Sequence, residues 1–234
     1  PPKRAAAHTI VMSSSKAAAV PKYKLQRILK DGSVGDNYPL KGDKLEVGRF
    51  RGDLQFAQDD KMAAIHARFT TEKDQLFVED ISGVSSVFIG LIATYSLRDG
   101  DIIRLGEQMF RFREKVEMVT NAAARGTTIL DLSTTLDEPV AQLVFVGPDF
   151  LDTPASLPLN EEEVSFGRSR GTYIFPEDPF MSRAHSKIYH RGEDFYLEDV
   201  GSRNGTFVKV RSKTPVPTGA TVLVGSQVFR IETN

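Results

Sequence analysis

The chain has 234 residues, 30 Lys and Arg against 31 Asp and Glu, a formal net charge of −1 and 40% hydrophobic residues. That length accommodates two domains, each able to bury a core. The absence of cysteine excludes disulfides, thiolate zinc sites and cysteine nucleophiles within it. A nucleic-acid binder would carry a basic stripe or a high pI, which the balanced charge argues against. No run approaches the roughly eighteen apolar residues of a membrane-spanning helix, and no signal-peptide pattern is present. The expectation is a cytoplasmic protein with neither nucleic acid nor membrane among its partners. The chain opens on Pro1 rather than Met, as expected of a processed form or a piece of a longer protein.

In chain order, residues 1–21 are rich in Ala, Ser and Lys with little apolar periodicity, which predicts a flexible tail. A strand-rich unit over 22–113 follows. Within it Ala67–Thr70 and Leu76–Glu79 flank the turn Glu72-Lys73-Asp74 and predict a hairpin. Leu91–Leu97 reads as a short helical or irregular insertion. A second hairpin runs from Ile102 to Phe112 around Gly106-Glu107. Residues 114–138 form a linker, and 139–234 a second strand-rich unit. Its hairpins turn at Arg191–Asp194 and at Gly225-Ser226. Many short strands with regular turn signals predict an all-β chain of two tandem antiparallel β-sandwiches.

The two units are copies. Adding 119 to Gly48-Arg49 gives Gly167-Arg168, and the same shift takes Met62 to Met181, His66 to His185, Glu79-Asp80 to Glu198-Asp199 and Phe88 to Phe207. It also takes Gly106 to Gly225, Gln108 to Gln227 and Phe110-Arg111 to Phe229-Arg230. The period is too long for a solenoid repeat and suits a duplicated domain of about a hundred residues.

The differences between the copies locate the chemistry. Ser182-Arg183 stands opposite Ala63-Ala64, Arg203 opposite Val84, and Asn204-Gly205 opposite Ser85-Ser86. Arg49 alone is retained opposite Arg168, as a structural remnant or a weakened anion site. In the second copy Arg168, Ser182, Arg183, Arg203 and Asn204 combine planar guanidinium forks with a hydroxyl and an amide, the donors that hold a phosphate beside an extended peptide. Gly205 suits a turn with positive φ. His66 and His185, present in both copies, read as loop braces. No nucleophile–base pair, paired carboxylate or metal-ligand spacing stands out. No catalytic residue, metal or cofactor is therefore expected.

The pattern Gly-Arg, thirteen residues, Ser-Arg-x-His, sixteen residues, Ser-Arg-Asn-Gly-Thr-Phe resembles the forkhead-associated (FHA) domain. The resemblance covers about 139–234 strongly and about 23–113 as a degenerate copy. It implies an eleven-stranded β-sandwich that binds phosphothreonine peptides through loops at one end. It implies that Arg168 and Ser182 contact the phosphate with Arg183 beside them, that Asn204 bonds the peptide backbone, and that Gly167 and His185 are structural. Arg203 stands where many members have a small hydroxyl residue. Phe180 stands two before Ser182, where some members carry a basic residue that selects an acidic side chain; here an apolar preference is expected instead.

Two functions follow as expectations. One is a phosphothreonine-dependent adaptor in Ser/Thr-kinase signalling, its partner a threonine-phosphorylated protein or the kinase, its first domain phosphate-independent. The other is a structural or oligomerisation scaffold with a vestigial phosphate site. Thr127, Thr128 and Thr134 lie near acidic residues in the linker. They read either as a solvated linker or as phosphorylation sites bound in cis, where a short tether raises the effective concentration.

Overall fold

The computed structural model describes residues 22–29, 31–83, 87–114 and 141–233. The tail, nearly all of the linker with Thr127, Thr128 and Thr134, and Val84, Ser85 and Ser86 lie outside the described residues. Side chains alternate inward and outward along the strands, as a pleated chain with one buried face requires. In 67–72 Ala67 and Phe69 are buried, and in 75–80 Leu76 and Val78.

The first repeat contributes β1 (Tyr23–Ile28), β2 (Val34–Pro39), β3 (Lys44–Gly48), β4 (Leu54–Gln55), β5 (Ala67–Glu72), β6 (Gln75–Asp80), β7 (Val87–Gly90), β8 (Tyr95–Ser96), β9 (Ile102–Leu105) and β10 (Gln108–Glu114). The second contributes β11 (Ala141–Val146), β12 (Asp152–Pro158), β13 (Glu163–Gly167), β14 (Tyr173–Ile174), β15 (Ser186–Arg191), β16 (Asp194–Asp199), β17 (Thr206–Lys209), β18 (Thr214–Pro215), β19 (Thr221–Val224) and β20 (Gln227–Thr233). The described residues are all-β. The four predicted hairpins are present as β5–β6, β9–β10, β15–β16 and β19–β20.

The pairing between strands does not follow the repeat boundaries. One ten-stranded sheet runs β12-β11-β10-β9-β17-β7-β19-β20-β1-β2. Two five-stranded sheets, β4-β3-β5-β6-β18 and β14-β13-β15-β16-β8, complete the layers. The last strands of each repeat therefore close the sheets of the other. Strand β20 pairs with β1 of the first repeat, Leu25 opposite Ile231, and β10 pairs with β11 of the second, Phe112 opposite Leu143.

The two cores record the same exchange. Phe69, Leu76 and Val78 pack with Val222, Phe229 and Ile231. Phe166, Ile188 and Leu197 pack with Ile103, Phe110 and Phe112. The crossovers fall at equivalent places: Ile89 packs on the first core and Leu91 on the second, while Val208 lies in the second core and Val210 in the first. Between them β7 and β17 lie antiparallel, Ile89 opposite Val208, at the centre of the ten-stranded sheet. Each sandwich is thus assembled from strands of both repeats.

Of the two readings of Leu91–Leu97, helical or irregular, the segment is irregular, with bends at 92 and 93. It crosses over into the short strand β8, and Leu91, Tyr95 and Leu97 all find apolar partners in the second core. Buried polar residues pin the exchanged strands. Asp178 accepts from the Glu107 N–H at 2.8 Å and the Gln108 amide at 3.1 Å, and Asp59 accepts from the Ser226 N–H and the Gln227 amide, both at 2.8 Å. Arg211 of the second repeat reaches Asp101 of the first at 2.9 Å; Asp101 is buried, and Arg211 supplies its counter-charge.

Candidate functional site

The singled-out residues converge on three neighbouring loops at one end of the second sandwich. The loop after β13 carries Arg168, the loop before β15 carries Ser182 and Arg183, and the loop between β16 and β17 carries Arg203, Asn204 and Gly205. Backbone bonds tie the first two together: the Arg168 N–H donates to the Ser182 carbonyl at 2.8 Å, and the Arg170 N–H to the Arg183 carbonyl at 2.8 Å. Gly167 makes this approach feasible. A Cβ there would sit 2.2 Å from the Arg183 carbonyl oxygen and 2.3 Å from that of Arg170.

Ser182 links the second loop to the third. Its Oγ accepts from the Arg203 N–H at 2.9 Å, which leaves its own proton to donate outward. Asn204 is clamped through one amide N–H to the Phe180 carbonyl at 2.8 Å. Its Oδ1 stays available as an acceptor. Gly205 holds φ +86, where a side chain would be strained. Arg168, Arg183, Arg203 and Asn204 are exposed. Phe180, with 44% of its surface exposed, stands beside them.

Fully buried His185 braces the loops from beneath. Its Nδ1 accepts from the Ser182 N–H at 3.0 Å, so the ring proton lies on Nε2 and donates to the Gly205 carbonyl at 3.1 Å. Burial of the ring pushes its pKa below the ordinary 6.5, with the Gly205 carbonyl opposing in part. As pH falls, the unfolded chain therefore takes up a proton before the folded one does. The stabilisation is complete above about 6.5 and is lost as pH drops below that value. Thermal melting at pH 7.5 and 5.5 should show a larger drop for the wild type than for His185→Gln; equal drops would remove His185 from the account. In the first repeat the His66 Nδ1 accepts from the Ala63 N–H at 3.3 Å, the same brace without the hydroxyl or the arginine above it.

Sequence reasoning missed the hub of the third loop. Asp199 accepts from the N–H groups of Gly201 and Ser202 at 2.9 and 2.7 Å, and from the hydroxyls of Ser202 and Thr206, both at 2.6 Å. Burial pushes its carboxyl up, but the Ser202 and Thr206 bonds outweigh that and hold it below the ordinary value. The signal was present in Asp199-Val-Gly-Ser202, since a short acidic side chain bonds the backbone two and three residues on. Asp80 does the same for Ser82 in the first repeat, at 3.0 Å to its N–H and 2.6 Å from its hydroxyl.

Two arginines sit differently from the rest. The Arg49 guanidinium donates to the Ala57 carbonyl at 3.1 Å and lies 4.9 Å over the Phe50 ring, so its own loop occupies it. The Arg203 guanidinium reaches the Asp31 carbonyl of the first repeat at 3.5 Å. Among the described residues there is no cluster of His, Cys, Asp or Glu fit to hold a metal, and no helix long and apolar enough to cross a membrane.

Residues 164–225 match the family model of the FHA domain. Over 82 residues the chain is 33% identical to the FHA domain-containing protein FhaB of Mycobacterium tuberculosis, a span of 34% of this chain and 53% of that protein. It is 36% identical over 55 residues to an oxoglutarate dehydrogenase inhibitor of Corynebacterium jeikeium, covering 24% and 38% of the two. The chain spans about half the length, or less, of the curated relatives it matches. Among solved structures, one described as a structural and functional analysis of phosphothreonine-dependent FHA domain interactions aligns at 24% identity and TM-score 0.23, over 35% of this chain and 88% of that one. Mycobacterium tuberculosis EmbR in complex with a low-affinity phosphopeptide aligns at 20% identity and TM-score 0.22, over 34% and 22%. The matched segment 164–225 is contiguous in sequence and contributes to both cores in space, Val164 and Phe166 to the second and Val216 and Val222 to the first.

Proposed function

We propose that the second repeat is a phosphothreonine reader and the chain a non-catalytic adaptor that docks a threonine-phosphorylated protein, such as a Ser/Thr kinase or its substrate. The observation that carries this is the Ser182 hydroxyl. It is fixed as an acceptor by the Arg203 N–H, aimed to donate, and flanked by the unengaged guanidinium groups of Arg168 and Arg183. A phosphothreonine brings a charge of about −1.5 to −2 and three acceptor oxygens, which match that donor set. Asn204, clamped at one end, accepts from a peptide N–H with its free Oδ1. Charge-assisted bonds contribute on the order of 1.5–3 kcal/mol each. Two or three of them, offset by ordering of the peptide, give roughly micromolar affinity.

The first repeat is a degenerate copy in this reading. Ala63 and Ala64 offer no donors beyond the backbone, and Arg49 is engaged by its own loop. Its contribution is structural, since β8, β9 and β10 close the sandwich that bears the site. The scaffold reading draws support from the same exchange, which joins the two repeats into one folding unit. Fluorescence anisotropy of a degenerate threonine peptide pool, phosphorylated and not, separates the two. An adaptor binds only the phosphorylated pool; a scaffold with a vestigial site binds neither.

A further inference from the structure

The strand exchange brings a piece of the first repeat to the reader's rim. The turn between β1 and β2 projects beside the loop that carries Arg203, and the Arg203 guanidinium reaches the Asp31 carbonyl at 3.5 Å. Nothing in the second repeat's own sequence supplies this neighbour. The turn is ordered from within. The Gly32 N–H donates to the Leu29 carbonyl at 2.8 Å, and Ser33 donates both its N–H, at 2.9 Å, and its hydroxyl, at 2.6 Å, to Asp31 Oδ1. Among the described residues Asp31 Oδ2 has no hydrogen-bond partner, and Asp31 is exposed. The two Ser33 bonds keep the carboxyl ionised, and Arg203 adds to this. Leu29 and Val34 flank it with 39% and 55% of their surfaces exposed.

We infer that this turn is part of the docking surface, and that Asp31 selects a Lys or Arg flanking the phosphothreonine of the partner, with Arg203 positioning the turn. The inference rests on the phosphothreonine reading above. The argument is charge complementarity across one rim. Arg168 and Arg183 present positive charge to the phosphate, and Asp31 presents an exposed carboxylate beside Arg203. A ligand that satisfies both carries a phosphate and, a few residues along, a basic side chain. Leu29 and Val34 would cover the aliphatic stem of that side chain, which long cationic residues bury while the charged head stays wet. Arg203, in this assignment, acts through the turn and not on the phosphate.

The test uses the full chain and two phosphothreonine peptide pools that differ only in flanking Arg or Ala. Wild type should prefer the Arg-flanked pool by about 2- to 5-fold, the size of one favourable exposed ion pair. Asp31→Asn should erase the preference, and Asp31→Lys should invert it, with affinity for the Ala-flanked pool unchanged in both. Arg203→Ala should reduce the preference while leaving the requirement for phosphate intact. Equal discrimination by wild type and Asp31→Lys would overturn the inference and leave the reader intact, as would a wild type that binds both pools equally. A wild type that binds neither pool would remove the reader and the inference together. Asp31→Asn keeps a side-chain oxygen to accept both Ser33 bonds, so its melting temperature should match the wild type.

Discussion

Residues 139–234 expressed alone will not form a folded monomer. They contain the whole of the matched family segment and every candidate phosphate ligand, so a conventional reading would take them as a complete domain. The strand pairing argues otherwise. Without the first repeat, β11 loses β10, and β16 loses β8. Phe166, Ile188 and Leu197 lose Ile103, Phe110 and Phe112, while Val222, Phe229 and Ile231 lose the first core altogether. Each large apolar side chain re-exposed costs about 1.5–3 kcal/mol, against a total stability of only about 5–15 kcal/mol for a domain. The fragment could recover only by folding β19 and β20 back onto its own strands, which in the intact chain pair with β7 and β1 of the first repeat. Exchange between two fragment copies satisfies the same pairings without a reversal. Light scattering after size exclusion should give a dimer or aggregate. A folded monomer would show that the crossover is dispensable.

Arg168→Ala will lower affinity for a phosphothreonine peptide by about 100-fold, and Arg49→Ala will leave it unchanged. The two arginines occupy the same position in their repeats, which makes each the control for the other. A guanidinium on a phosphate makes two parallel charge-assisted bonds, and the loss of roughly 3 kcal/mol corresponds to about two orders of magnitude. Arg49 has no such bond to lose, because its Nε already donates to Ala57 and no hydroxyl stands opposite it at Ala63. Titration of a single labelled peptide against both variants checks the pair. Equal losses would mean that both repeats bind phosphate, and no loss in either would move the site elsewhere.

What the sequence made legible follows from what is local. The hairpins are readable because their turns announce themselves. Lys73 and Asp74 adopt positive φ between alternating strands, and Gly106 and Gly225 do so at φ +60 and +61. The loops of the site are readable because Arg168, Ser182 and Asn204 sit at fixed spacings that two repeats allow to be compared. The exchange is not readable in that way. Phe110 and Phe229 are the same residue at the same place in the pattern, as are Gln108 and Gln227, so each suits either core and periodicity cannot say which it joins. The contact of Arg203 with Asp31 was hidden for the same reason: the two lie 172 positions apart and meet only through the exchanged strands.

The central claim is that phosphate lands on the second repeat, and amide chemical-shift mapping of the intact chain with a phosphothreonine peptide tests it most directly. The account predicts saturable shifts at Arg168–Arg170, Ser182–Ala184 and Arg203–Gly205, absent with the unphosphorylated peptide, and quiet resonances at Arg49–Arg51 and Ala63–Ile65. Shifts centred on Arg49–Arg51 and Ala63–Ile65, or identical shifts with both peptides, would contradict it.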